Sequence, residues 1–133
     1  MIHKLPASLG ALVLILGLVG CGPAEPIKIG LLAGLSDRGS DFGESVRNGV
    51  ILAVEQQNLA GGINGRKIEL LVRDDGQDKD KAIKAAQELI ALHPDIIIGP
   101  VTSSMATVVV PLMEHAGQVI ISPTVASPFF YGK

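Results

Sequence analysis

Apolar and polar positions fall into three kinds of stretch along this chain. Residues 9–20 (LGALVLILGLVG) are uninterrupted apolar sequence without a charge. From residue 27 onward, short apolar runs alternate with longer segments whose apolar residues recur at helical spacing. The first run, 27–32 (IKIGLL), reads as a strand. Residues 36–43 (SDRGSDFG) read as a polar, Gly-punctuated loop. From Glu44, the positions Val46, Val50, Ile51, Val54 and Leu59 lie on one face of a helix that Gly61-Gly62 stops. Asn64-Gly65 is a tight-turn dipeptide leading to a second strand over 67–72. A second helix over about 78–92 has Asp78 or Asp80 as cap, Lys79, Lys81 and Lys84 on its wet face, and Ala82, Ile83, Ala86, Leu89 and Ile90 as buried stripe. His93-Pro94 ends it, because proline disfavours helix at the residue before it. Residues 95–98 (DIII) read as a strand buried on both faces. A third helix runs to about Ala116 with Ser103 or Ser104 as its cap, through the poor helix sequence Val108-Val109-Val110-Pro111, and residues 119–122 (VIIS) form a fourth strand.

The order β-α-β-α-β-α-β, with crossovers long enough for helices, predicts an α/β fold with a parallel, doubly wound, Rossmann-like sheet. Ligands of such sheets bind outside the carboxyl ends of the strands. Here those ends lead into 36–43, 74–78, 99–104 and 122–127, all polar and Gly- or Ser-containing.

The amino-terminal run has a different meaning. Lys4 precedes it, small residues end it at Leu18-Val19-Gly20-Cys21, and it is shorter than the roughly 20 residues a spanning helix needs. That is a secretory signal over 1–20. Its exit looks like the lipobox of bacterial lipoproteins, in which the cysteine thiol is alkylated by a diacylglyceryl group before cleavage. Cys21 is the only cysteine of the chain and has no intramolecular disulfide partner. Residues 21–26 then form a lipidated tether, and 27–133 a single domain. One acyl chain anchors marginally, at about 0.8 kcal/mol per buried methylene, whereas two or three hold firmly.

Composition narrows the function. The formal net charge is −2, and loss of Lys4 with the signal makes the remainder more negative. With aromatic content of 3% and no Trp, there is neither a basic footprint nor a stacking platform for nucleic acid. His93 and His115 have no matched nucleophile or zinc spacing, and the glycines at 34, 39 and 43 lack the Gly-Lys-Ser/Thr that cradles a nucleotide phosphate. Asp74-Asp75 with DDGQDKD does not fit a calcium loop, which needs alternating acids before its glycine, and Lys79 and Lys81 oppose a cation. No cofactor, metal or catalytic residue is expected, and the chain reads as a non-enzyme.

Residues 27–128 carry a family likeness. The run GGINGRKIEL, the doublet Asp74-Asp75, the segment IGPVTSS and the segment ISPTVASP stand at spacings that are jointly specific. The chain resembles type I periplasmic binding proteins, in particular the branched-chain amino acid (Leu/Ile/Val-type) substrate-binding subunits of ABC transporters. The resemblance implies two α/β lobes that close on a small polar ligand and dock on a membrane permease. It also implies that these residues are part of the first lobe, the chain being a fragment of a longer protein or a truncated product. It places the protein in the periplasm or on the outer face of the cell membrane, held to lipid through Cys21. A sensory receptor or regulator of the same fold without transport is the alternative. An adjacent permease gene favours transport, and an adjacent regulator or kinase favours sensing.

The likeness carries a site with it. Ser103, with Ser104 beside it, matches the serine that binds the ligand carboxylate at a helix start. A hydroxyl and free amides at such a terminus make an anion site, and they equally make a cap. Thr124 matches a position that offers a backbone carbonyl. Ala126 falls where amino-acid binders commonly carry threonine, so small acids, amides and aromatics stand beside amino acids as ligands. Ser127 belongs to the same loop, where turn chemistry beside two prolines is the other reading. Phe42 matches an aromatic that lines the cleft or, alternatively, packs on the first helix.

Overall fold

The structure, a computed structural model, describes residues 22, 24–36 and 40–131. The leader expected over 1–20 and the acylation expected at Cys21 fall outside the described residues. Four parallel strands, β1 (Ile27–Ala33), β2 (Ile68–Asp74), β3 (Ile96–Ile98) and β4 (Ile120–Ile121), form one sheet in the order β2-β1-β3-β4. Between them run α1 (Ser40–Leu59), α2 (Lys79–Ala91) and α3 (Ser103–His115). A short 3₁₀ turn, Pro128–Phe130, follows β4. The expected α/β architecture with a doubly wound parallel sheet is what forms.

The strand order dictates which face each helix covers. From β1 the chain steps outward to β2, then back past β1 to β3 and on to β4. With right-handed crossovers, that reversal puts α1 on one face and α2 with α3 on the other. On the α2/α3 face, Leu32 and Ile97 meet Ala82, Ala86 and Leu89 of α2 and Met105, Val109 and Met113 of α3, all buried. On the α1 face, Leu31, Ala33 and Val101 pack with Val46, Val50, Leu70, Val72 and Ile98. β1 is therefore buried on both sides over its last four residues, which explains why Leu31, Leu32 and Ala33 are consecutively apolar.

Local chemistry sets the ends of the elements. Asp78 caps α2, its Oδ1 accepting from the amides of Asp80 (3.1 Å) and Lys81 (2.9 Å). Past α1, Gly61 takes φ +107°, and the Gly62 amide reaches back to Gln57 O at 2.9 Å. This closes the helix as a left-handed glycine cap does. Asn64 (φ 51°) and Gly65 (φ 80°) turn the chain so that Ile63 and Arg66 pair as a one-bridge hairpin.

Four expectations need correction. Helix α1 begins at Ser40 rather than Glu44, so Phe42 and Gly43 are helical and not part of a loop. The N-cap residue of α3 is Thr102, not Ser103 or Ser104, and it makes no side-chain capping bond. β2 runs on to Asp74 because Arg73 and Asp74 continue the pairing with Leu32 and Ala33. β4 is shorter than expected, since it pairs with β3 alone. Val108–Pro111 do lie in α3. Val109 is buried in the core, and that packing outweighs poor propensity.

Candidate ligand-binding edge

At the carboxyl edge of the sheet, four loops meet. β1 and β3 are neighbours whose chains depart in opposite directions, which is the switch point where a crevice opens in this kind of sheet. The loops after β1 and β2 are joined first. Asp74 Oδ1 accepts from the amides of Leu35 (2.7 Å) and Gly76 (2.8 Å). Burial pushes the Asp74 carboxyl up. Bonds from the Ser36 hydroxyl and from the amides of Leu35, Gly76 and Ser36 outweigh that and hold it below its ordinary 3.8.

Beneath these loops lies Asp75, with no exposed surface. Its amide donates to Ala33 O at 3.0 Å. Its Oδ1 accepts from the Gln77 amide at 2.8 Å, and its Oδ2 has no partner. Burial drives this carboxyl above 3.8. The Gln77 bond opposes the shift, and the charge of Asp74 adds to it.

Gln77 links this floor to the next loop. Its backbone is left-handed (φ 52°), and its Oε1 accepts from Thr102 Oγ1 at 3.2 Å. Thr102 Oγ1 also lies 3.3 Å from Ser104 Oγ. Gly34 leaves the room for this arrangement, since a Cβ there would stand 2.3 Å from Gln77 Nε2.

The loop after β4 is laced onto the loop after β3 by three bonds. Ser122 Oγ donates to Pro100 O (2.6 Å), Thr124 Oγ1 donates to Val101 O (2.7 Å), and the Ala126 amide donates to Ser103 Oγ (3.3 Å). The first helical bond of α3 runs from the Ala106 amide to Thr102 O at 3.0 Å. The amides of Ser103, Ser104 and Met105 therefore have no partner within the helix. Ser103 Oγ accepts a bond and still has its proton to donate. The result is a group of donors at the positive end of a helix dipole, suited to an anion.

The structure brings Ser103, Ser104, Thr124 and Ala126 to one side of the edge. Ser127 faces elsewhere, its Oγ accepting from the Phe129 amide at 3.3 Å and capping the 3₁₀ turn. Phe42 stands on the first turn of α1 at the same end of the sheet, 51% exposed. Asp75, Gln77 and Thr102 fall in the segments 74–78 and 99–104 expected at this edge, but sequence reasoning singled out neither Gln77 nor Thr102 within them. The polar segment after β2 was a signal of a loop, but nothing local points to the left-handed Gln77. Beside the edge, a groove of about 280 Å³ lies between α3, β4 and the 3₁₀ turn, lined by Ala106, Val110, Ile120, Val125 and Phe130. Among the described residues no group of three His, Cys, Asp or Glu could hold a metal ion, and no helix is long and apolar enough to cross a membrane.

Comparison with known proteins gives consistent results. The family model described as periplasmic binding protein matches residues 26–132. The Leu/Ile/Val-binding protein BraC3 of Rhizobium johnstonii is 33% identical over 102 residues, covering 77% of this chain and 28% of that protein. The leucine-, isoleucine-, valine-, threonine- and alanine-binding protein of Pseudomonas aeruginosa is 30% identical over 105 residues, covering 79% and 28%. Among solved structures, the branched-chain amino acid transporter substrate-binding protein LivJ of Streptococcus pneumoniae, in complex with isoleucine, superposes with a TM-score of 0.74 at 30% identity. That match covers 77% of this chain and 30% of the neighbour. A solute-binding protein of R. palustris in complex with benzoate gives 0.66 at 31% identity, covering 74% and 27%. The chain thus spans about 28% of the length of the curated relatives it matches.

Proposed function

The chain belongs to the periplasmic binding protein family, and from that premise we propose that it forms part of the substrate-binding protein of an ABC uptake transporter. In this reading the protein works outside the cytoplasm. The sulfur of Cys21 carries a diacylglyceryl thioether that holds it to a membrane, and a permease receives its ligand.

The ligand is a small carboxylic acid, an amino acid or a relative of one. The observation that carries this is the open amino terminus of α3. Thr102 leaves it without a side-chain cap, and the free amides of Ser103, Ser104 and Met105 stand beside the Ser103 hydroxyl. A carboxylate there gains charge-assisted bonds and the helix dipole together. Thr124 contributes backbone, because its hydroxyl is taken by Val101. Ala126 supplies no hydroxyl for an α-ammonium group, which supports an acid without that group. One relative of comparable identity was solved with benzoate and another with isoleucine.

Titration of the ¹⁵N-labelled 133-residue chain with L-leucine, L-isoleucine and benzoate tests the reading. Shifts should concentrate at the amides of 102–105 and 124–126 for at least one ligand. With a single wall of a cleft, affinity should be weak, about millimolar, since little ligand surface is buried to offset the cost of association. Shifts at the opposite end of the sheet, or none with any carboxylate, would sink the assignment.

A further inference from the structure

At the edge opposite the ligand loops, the chain enters the fold in a fixed position. Arg66 Nε donates to Glu25 O at 2.8 Å, and its Nη2 donates to Pro26 O at 3.3 Å. Arg66 is itself held by the hairpin, whose two bonds with Ile63 measure 2.8 and 3.0 Å. The residues just before β1 are thus clamped to the turn before β2.

Two more cations lie at this edge. Lys67 Nζ donates to Asn58 O at the end of α1, and Lys28 Nζ donates to Leu92 O at the end of α2, 3.4 Å away. Each sits at the negative end of a helix dipole, and among the described residues none of the three cations is paired with a carboxylate.

Every strand of the parallel sheet begins at this edge and every helix ends there. Four of the large apolar side chains exposed on the fold gather at it: Leu59 (88% exposed), Ile63 (41%), Leu92 (36%) and Val119 (59%). Beside Leu59 the surface is indented by a hollow of about 400 Å³ that Glu55, Asn58 and Lys67 also line. Nothing in the binding site explains why apolar side chains are left open here, beside these cations and the acids Glu25, Glu55 and Asp95.

We propose that this amino-terminal edge rests on the lipid headgroups, with Arg66 fixing the direction in which the tether leaves the fold. The inference rests on the acylation of Cys21. Given that, geometry supplies the rest. Glu25 is four residue steps from Cys21, at most about 14 Å of extended chain. The clamp point cannot leave the headgroup region by more than that reach. The seven residues of β1 set the ligand loops about 23 Å further along the sheet. The apolar side chains enter the interface, the charged side chains around them stay among the headgroups, and the Ser103 edge points away from the bilayer.

The test uses the full chain expressed with its own leader and reconstituted in phosphatidylethanolamine–phosphatidylglycerol vesicles. Because acylation occupies the sulfur of the only cysteine, an introduced thiol is the sole label site. A fluorophore is placed by Ile63→Cys or, at the other edge, by Ala126→Cys, and is quenched by phospholipid spin-labelled at the headgroup. Quenching at position 63 should be several-fold stronger than at 126, and Arg66→Ala should narrow the ratio. Equal quenching, or stronger quenching at 126, in protein whose mass carries the acyl chains would overturn the orientation and leave acylation standing. An unmodified mass at Cys21 would remove the acylation reading and this inference with it. If Arg66→Ala does not fold, the 63-to-126 contrast in the unaltered background still decides the matter.

Discussion

Two glycines of α1 make opposite predictions for one substitution. Gly43 and Gly49 occupy the same helix, six residues apart. A Cβ on Gly49 would meet nothing within 4 Å. Gly49→Ala should therefore show the bare propensity gain, about 0.8–1 kcal/mol of added stability. A Cβ on Gly43 would stand 1.9 Å from Gly34 O and 2.8 Å from Gly34 C. Both are backbone atoms of the loop after β1 and cannot swing aside as a side chain can. Gly43→Ala gains the same propensity term and loses it to the clash. Overpacking of this kind costs about 1–3 kcal/mol, and more where backbone must move. The first turn of α1 then lifts away from the loop, and Phe42 and Leu35 lose their place. Because the propensity gain is common to both, the two variants should differ by the clash, roughly 2–3 kcal/mol at the upper end of that range. At about 4 °C per kcal/mol for a domain near 100 residues, that separates their Tm values by about 10 °C, Gly49→Ala above the parent and Gly43→Ala below it. Thermal unfolding followed by far-UV circular dichroism reads the difference directly. If both variants rise together, the close approach of α1 to Gly34 is wrong, and with it the placing of Phe42 at the ligand edge.

Asn58 mimics a neighbouring strand for β2, its Oδ1 accepting from the Ile68 amide (2.7 Å) and its Nδ2 donating to Ile68 O (2.9 Å). Asn58→Ala should cost about 2–4 kcal/mol, read as a lower urea midpoint at unchanged slope, because it leaves two part-buried backbone groups without partners. Asn58→Asp should cost a comparable amount, since it turns an oxygen toward Ile68 O; a midpoint matching the parent for either variant contradicts the pairing. For Asp75, whose folded pKa is raised above 3.8, the carboxyl's contribution is fully present below the unfolded pKa and is lost as pH rises through the folded one. Asp75→Asn keeps the acceptor for Gln77, so its stability relative to the parent should climb as pH is raised from about 4 toward 7; a flat or falling difference in unfolding free energy would show that the carboxyl is not buried as described. Ser103→Ala should shift stability by less than about 0.5 kcal/mol, because Thr102 and not Ser103 is the N-cap residue, while it weakens the carboxylate-induced shifts at residues 102–105. A large loss of Tm with unaltered titration shifts would make Ser103 a structural residue.

What could be read in advance follows from the range of the forces involved. β1, β2 and the buried stripe of α2 were legible because burial repeats with the period of each element. The cap of α2 was legible down to a choice between Asp78 and Asp80, because capping is a contact between near neighbours in sequence, and the structure has Asp78. The start of α1 was not. Residues 36–43 contain two glycines among polar side chains, which reads locally as a loop, yet Gly43 is present because Gly34, distant in sequence, presses against it. Thr102 as N-cap residue was equally hidden, since Thr102, Ser103 and Ser104 have similar local chemistry and the choice among them depends on where β3 ends. Gln77 is the clearest case. Its left-handed backbone and its bond to Thr102 exist only once three loops have been assembled.

The same assembly decides which polar groups remain for a ligand. Loops beyond the ends of parallel strands have no ladder to satisfy their backbone, so side chains take that task. Ser122 and Thr124 give their protons to the carbonyls of Pro100 and Val101, and Thr102 gives its proton to Gln77. Ser127 accepts from Phe129 and closes its own turn. A hydroxyl with its proton so engaged cannot also donate to a bound acid without breaking an internal bond, at about 1 kcal/mol or more. Of the hydroxyls that the family resemblance carried to this edge, Ser103 and Ser127 each accept a bond and keep a proton to donate, but Ser127 is turned to its own 3₁₀ turn, and Ser104 shares one contact with Thr102. In the proposed function the donors left for a bound acid are therefore those of the first turn of α3, while Ser122 and Thr124 hold the facing loop in place.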